Sequence, residues 1–364
     1  MIHDKTVAVV VPAYNEAKQI GMVIESVPDF VDRIIVVNDA SKDETLAVAK
    51  RYLDSKSPIH IFTIRSPAQK TLYNRADQVS YDQMIKEMEW FPLSEVVNQN
   101  PAEDRVILIN LMKNHGVGAA IARGYKWCKD HGIDCTCVMA GDGQMDPSEL
   151  KSLCLPVIDE GIDYVKGNRL IHSSSWFIMP KLRYIGNATL SILTKIASGY
   201  WHVSDTQTGY TAISKRALYS IDLFKIYKRY GMPNDMLVRL NIAFCTIKEV
   251  GIKPVYGVGE NTKMKIGRVI PRISWLLLKS FFKRLWLKYF FRDFHPLFLL
   301  YHMSFFLFAA SIPFAINIIE KVFTIGSAIV SNNLVVFVFL IISGFQSLLF
   351  AMWMDIQDNE RLYK

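Results

Sequence analysis

The chain has 364 residues, 51% of them hydrophobic, with 42 Lys and Arg against 34 Asp and Glu for a formal net charge of +8. That length suits two domains, or one large domain with an appendage, and the apolar share excludes a disordered chain. Its 14 Pro and 19 Gly fall without a period, which excludes collagen-like and low-complexity classes.

The long apolar runs fall after about residue 270, whereas the first 260 or so residues read as an ordinary soluble domain. Five cysteines, Cys128, Cys135, Cys137, Cys154 and Cys245, contain no C-x-x-C pair, so reduced core thiols in a reducing compartment are expected. Met1 to Lys5 leads straight into Val7–Val11 without a basic n-region or a small-residue cleavage site, and the first domain is expected to stay cytoplasmic.

In chain order, Val7–Val11 reads as a strand buried on both faces and Glu16–Ser26 as the helix after it. Arg33–Val37 repeats the strand. Ser41–Tyr52 repeats the helix, with Ser41 as N-cap and Glu44 at the capping-box position. Strands at Ile59–Ile64, Val106–Leu111 and Cys135–Ala140, with a helix over Ala119–His131, complete a parallel α/β pattern. Residues 66–105 are polar and read as an insertion with one helix near Gln78–Trp90; it serves either as surface decoration or as a lid.

Lys263–Arg292 carries nine basic residues and no acid, interleaved with Trp275, Leu276, Leu277, Phe281, Phe282 and Trp286. So many apolar side chains suit a membrane interface better than a nucleic-acid surface. Pro296–Ile319 then runs uncharged for 24 residues and Val322–Met354 for 33, each able to cross a hydrocarbon core of roughly 30 Å, the second span being placed at Leu334–Met354. The basic excess before the first span puts the N-terminal domain and the tail on the cytoplasmic side. The chain thus divides into a domain over 1–262, amphipathic interface helices over 263–293, and a two-span hairpin over 294–364.

Pro12-Ala13-Tyr14-Asn15-Glu16 and Asn38-Asp39-Ala40-Ser41 come after the first two strands, at the carboxyl ends where open α/β sheets bind ligands. Asp39 and Glu16 suit hydrogen bonds from a nucleoside, and each also suits a loop-capping acid. Together the two loops resemble the nucleotide-binding half of family 2 glycosyltransferases, inverting enzymes of the GT-A fold. Asn114-His115-Gly116-Val117-Gly118 is similar to that family's Gly-rich segment, and a lone G-x-G does not make an NAD site. Gly141-Asp142-Gly143-Gln144-Met145-Asp146 resembles the family's D-x-D loop, with Ala140 where the first Asp stands.

The resemblance implies a GT-A (Rossmann-like) mixed sheet and a nucleotide-sugar site of Pro12, Tyr14, Glu16, Asn38, Asp39, Gly116, Gly118 and Asp142. Asp142 and Gln144 would hold Mg2+ or Mn2+, since hard oxygen donors suit an ion on a diphosphate. Asp142 and Asp146, with Asp205 as the alternative base, are the catalytic set that the resemblance implies. Gly167-Asn168-Arg169, Arg183 with Asn187, and Asp205-Thr206-Gln207-Thr208-Gly209-Tyr210 are similar to the polyprenyl-phosphate transferases of the family. Arg169, Arg183 and Asn187, and more loosely Lys263, would then face an acceptor phosphate, which a guanidinium binds in a fixed fork.

The implied activity is transfer of a sugar from a nucleotide diphosphate to a polyprenyl phosphate at the cytoplasmic face of the cell membrane, with no nucleic-acid partner and a homo-oligomer left open. One alternative is a processive polysaccharide synthase or another glycan transferase of the family, though no Trp follows Arg as in the Gln-x-x-Arg-Trp element usual in the polymerising enzymes. The other is a membrane scaffold weakened in catalysis, which only Ala140 suggests.

Overall fold

The computed structural model describes residues 1–57, 59, 71, 73–178, 181–255, 266–325 and 331–364, with the side chains at 176, 181–185, 266–269, 322–325 and 331 left aside. In the first half, β1 (Val7–Ala13), α1 (Ile20–Ser26), β2 (Arg33–Asn38), α2 (Thr45–Lys50), α3 (Arg75–Lys86), β3 (Ser94–Val96), β4 (Val106–Leu111), α4 (Val117–Asp130) and β5 (Cys135–Val138) succeed one another. Next come α5 (Leu150–Asp159), β6 (Tyr164–Asn168), α6 (Ser175–Ile178), α7 (Lys181–Ser198), β7 (Thr211–Ser214), α8 (Lys215–Ser220), α9 (Met232–Ile242) and β8 (Ile247–Gly251). The C-terminal part is α10 (Ile266–Trp286), a π-helical turn at Leu287–Arg292, α11 (Pro296–Ile325) and α12 (Ser331–Glu360).

The described strands form one eight-stranded sheet in the order β3-β4-β2-β1-β5-β7-β6-β8. β4, β2, β1 and β5 are mutually parallel, whereas β7 runs antiparallel to both neighbours and β3 runs antiparallel along the outer edge of β4. Alternation along β1 divides the core. Ala8 and Val10 face α4, α8 and α9, while Val7, Val9 and Val11 face α1 and α5. A third cluster joins Leu190 and Ala197 of α7 and Val238 of α9 to Ile273, Leu277, Phe281 and Leu285 of α10.

Several expectations shift. Ser41 does not cap a helix: its Oγ accepts the Asn15 N–H at 3.0 Å, and α2 starts only at Thr45. α1 starts at Ile20, four residues later than read. Of the expected strand at 59–64 only Ile59 is among the described residues. The described insertion packs on α4: Lys129 Nζ meets Glu87 at 3.0 Å, Lys126 donates to the Met84 carbonyl at 2.8 Å, and Arg123 donates to Ser94 at 2.9 Å. All five cysteines are free and buried, and burial pushes the Cys128 and Cys245 thiols up to about 12.

Within α11 and α12, Pro296–Lys321 and Asn332–Glu360 are long and apolar enough to cross a membrane. The two helices leave Leu299, Phe306, Ile316, Phe339, Ile342 and Phe345 exposed. After α12 the chain returns to the sheet domain, where Leu362 is buried in the core and accepts the Ile247 N–H at 2.7 Å. Lys364 donates back to the Ile247 carbonyl at 3.0 Å. Both ends of the hairpin therefore lie at the domain.

Candidate active site

The loops after β1 and β2 are laced together through their own side chains. Glu16 N–H donates to Thr45 Oγ1 at 2.9 Å, Ala17 N–H to Asp43 at 3.2 Å, and Lys42 N–H to Asn15 Oδ1 at 2.8 Å. Asn38 donates to Asn110 of β4 at 2.8 Å. These bonds fix Pro12, Tyr14 and Glu16 beside Asn38 and Asp39 at the carboxyl ends of β1 and β2.

Asp39 is buried, and both its oxygens are engaged: the N–H groups of His115 and Gly116 donate to them at 2.8 and 2.7 Å. Burial raises its carboxyl above the usual range, and the two amides offset part of that shift. Gly116, at φ +97°, and Gly118 answer a packing need. A Cβ would lie 2.6 Å from the Lys228 carbonyl oxygen at the first and 2.1 Å from that of Tyr227 at the second. The Gly118 N–H donates to the Lys228 carbonyl at 2.9 Å, so the start of α4 is occupied by the 227–228 loop.

After β5 the chain turns through Gly141–Asp146. Asp142 accepts the Gln144 N–H at 3.1 Å, and Gln144 Nε2 is buried with no hydrogen-bond partner among the described residues. Asp146 caps the turn at Pro147–Glu149 that leads into α5, accepting the N–H and hydroxyl of Ser148 at 2.9 and 2.7 Å. The Ser148 bonds hold its carboxyl below the usual range, opposite to what a neutral-pH proton donor needs.

The third group stands where β6 ends. Asp205, 1% exposed, receives Arg169 in a fork, Nε at 2.8 Å and Nη2 at 3.0 Å, and also the Arg169 N–H at 3.2 Å. Burial alone would raise its carboxyl, but the guanidinium and the nearby Lys166 outweigh burial and hold it low. Lys166 is itself buried, donating to the Thr208 carbonyl at 2.8 Å, and burial lowers its ammonium to about 8. Glu249 of β8 accepts the N–H groups of Ser204 and Asp205 at 3.0 Å and the Asn168 amide at 2.9 Å.

Loop 204–210 is tied to two helices: Thr206 to Ser191 of α7 at 3.0 Å, and Gln207 to Asn234 of α9 at 2.9 Å. Asn187 lies half-buried on α7. Arg183 lies on the same helix with its side chain outside the described residues, as is all of Lys263. Sequence reasoning missed Lys166, Glu249 and Asn234. Only Lys166 left a signal, a lysine following the apolar pair Tyr164 and Val165.

The glycosyl transferase family 2 model matches residues 8–74 and 92–222, omitting the stretch that forms α3 and the turn after it. A UDP-N-acetylglucosamine–dolichyl-phosphate N-acetylglucosaminyltransferase of Methanococcus voltae is 29% identical over 269 residues, which is 72% of this chain and 92% of that protein. An undecaprenyl-phosphate mannosyltransferase of Micrococcus luteus is 30% identical over 170 residues, 46% of this chain and 69% of its own length. Glucosyl-3-phosphoglycerate synthase of Mycobacterium tuberculosis, solved with Mn2+, UDP and phosphoglyceric acid, superposes with a TM-score of 0.46 at 16% identity, covering 77% of this chain and 78% of that one.

Proposed function

This chain belongs to glycosyl transferase family 2 and has its GT-A type of mixed sheet, and from that premise we propose that it moves a sugar from a nucleotide diphosphate to a polyprenyl phosphate at the cytoplasmic face of the cell membrane. The acceptor oxygen bonds to the anomeric carbon as the bond to the diphosphate breaks on the opposite side, which inverts the centre. A phosphate monoester, with its second pKa near 6, is already largely dianionic at neutral pH and needs little help from a base. Asp205 then orients Arg169 and takes no proton.

Pro12, Tyr14, Glu16, Asn38 and Asp39 bind the nucleotide side, and Arg169, Arg183 and Asn187 face the acceptor phosphate. Asp142 and Gln144 would hold a divalent ion, Mg2+ or Mn2+, which when bound neutralises charge on the departing diphosphate. Gln144, whose Nε2 has no partner among the described residues, fits that role, because amide oxygen and nitrogen exchange places by a simple flip.

One observation carries the lipid acceptor. Helix α7 is bonded at Ser191 to the Asp205 loop and at its C-terminal end to α10, whose Arg284 in turn grips α12, so one helix joins the strand-end site to the apolar hairpin. Transfer of radiolabelled sugar into the organic phase tests this, measured beside donor binding. Arg183→Ala should lose lipid-linked product roughly ten- to hundredfold, the effect of one charge-assisted contact of about 1.5–3 kcal/mol, and keep donor affinity. Equal losses in both would assign Arg183 to the donor.

A further inference from the structure

Two basic residues, one near the end of α10 and one in its π turn, point inward. Arg284 and Lys288 are fully buried, one turn apart, on the face that also buries Ile273, Leu277 and Phe281. Arg292 donates to the carbonyl of Ile242, the last residue of α9, at 2.8 Å.

Every N–H of the Arg284 guanidinium has an acceptor. Nη1 and Nη2 meet the two oxygens of Asp355, on α12, at 2.7 Å each. Nε and Nη2 cap α7 through the carbonyls of Ala197 and Ile196 at 3.0 and 3.1 Å, and Nη1 reaches the Tyr289 hydroxyl at 3.4 Å. Gly199 gives the fork its room: at φ +78°, it would place a Cβ 2.3 Å from Nη1. Beside it Lys288 donates to Asn359 at 2.5 Å, and Asn359 accepts from Asn241 of α9 at 2.7 Å.

A buried ion pair is a weak source of stability, since apolar residues of similar volume hold a core at least as well. A bidentate fork adds direction: it fixes the angle between α7, α10 and α12. We propose that Arg284 and Asp355 are positioning residues that lock the hairpin to α7 and so hold the catalytic site at one height and tilt over the bilayer. The inference rests on the polyprenyl-phosphate reading above. An acceptor whose chain lies in the bilayer is fixed relative to the hairpin, so a loosened joint spreads the site over many heights and lowers the effective concentration of its phosphate. A short, water-soluble prenyl phosphate is not fixed to the hairpin. The donor loops at 12–16, 38–45 and 140–146 share no described hydrogen bond with either residue.

The test uses the full chain in phosphatidylethanolamine and phosphatidylglycerol vesicles with long-chain polyprenyl phosphate, against a ten-carbon prenyl phosphate in solution. Arg284→Lys and Asp355→Asn should raise KM for the embedded acceptor roughly tenfold or more, the scale on which small misplacements act. For the soluble acceptor kcat and KM, and the donor affinity, should match wild type. Should the single variants misfold, Arg284→Met with Asp355→Leu removes the charges together and should show the same acceptor-selective loss. Equal losses with both acceptors, no loss with either, or a double variant that cannot fold would each overturn the positioning role. A wild-type protein that transfers to neither acceptor would reject the polyprenyl reading itself, and this role with it.

Discussion

Arg169 and Asp205, which the sequence suggests as a phosphate ligand and an alternative catalytic base, are each other's partners: Nε and Nη2 of the one lie 2.8 and 3.0 Å from the two oxygens of the other. The pair turns both roles toward one task. Asp205 presents the guanidinium, and the guanidinium keeps Asp205 anionic.

Asp205→Asn should therefore destabilise the protein on the order of 3 kcal/mol at neutral pH, because a largely buried cation loses its partner. The folded pKa of Asp205 lies below its ordinary value, so its stabilising contribution is present above about pH 4 and is lost as pH falls through the folded value. Melting temperatures of wild type and variant should differ by a constant gap from pH 8 to 5 that closes in more acid solution. A gap unchanged at pH 3 would mean that the carboxylate charge is not what stabilises.

Asp39→Asn tests the clamp between β2 and the 115–116 loop. One of the two amides would face an NH2 group in place of an oxygen, at a cost of about 1.5–3 kcal/mol for the charge-assisted bond. Donor affinity should fall along with the melting temperature, and hydrogen exchange at His115 and Gly116 should quicken. Unchanged exchange would leave Asp39 a nucleoside ligand without a role in the loop.

The parallel half of the sheet was legible because Val7–Val11, Arg33–Val37 and Val106–Leu111 are β-branched or leucine-rich runs buried on both faces. β6 and β7 were not, since Lys166 and Asn168 interrupt one and the other spans only Thr211–Ser214. Asp39, Arg169 and Asp205 stand out in the sequence as candidates, but their partners do not. Nothing local tells that Arg169 reaches Asp205 across 36 residues, or that Asp39 serves amides 76 and 77 residues on. Of the nine basic residues over 263–292, the sequence does not tell that Arg284 and Lys288 lie on a buried face, where helix ends and carboxylates meet them.

The loop at 141–146 gives a prediction with opposite signs at two positions. Asp142→Asn should abolish most transfer without changing the melting temperature, and donor binding should become independent of Mg2+ or Mn2+. Gln144→Glu would supply the second carboxylate that Ala140 does not. It should tighten Mn2+ binding roughly tenfold or more, since charge count tunes hard-cation affinity. Titration with Mn2+ followed by its paramagnetic relaxation reads both. Near wild-type turnover by the Asp142 variant would move the site elsewhere in the loop.

The sheet domain also depends on the helices C-terminal to it. Ending the chain at residue 255 removes the caps that Arg284 and Arg292 place on α7 and α9. It also bares Leu190, Ala197, Val238 and Ile242, which pack with Ile273, Leu277, Phe281 and Leu285, and removes Leu362 from the other core and from its bond to Ile247. Each large apolar side chain so uncovered forfeits about 1.5–3 kcal/mol, and a folded domain has only about 5–15 kcal/mol in hand. The shortened chain is expected to be insoluble or to melt without cooperativity, even with nucleotide sugar present. Soluble protein that melts as sharply as the full chain would show that α10 is an accessory to this fold and that the joint at Arg284 is dispensable for it.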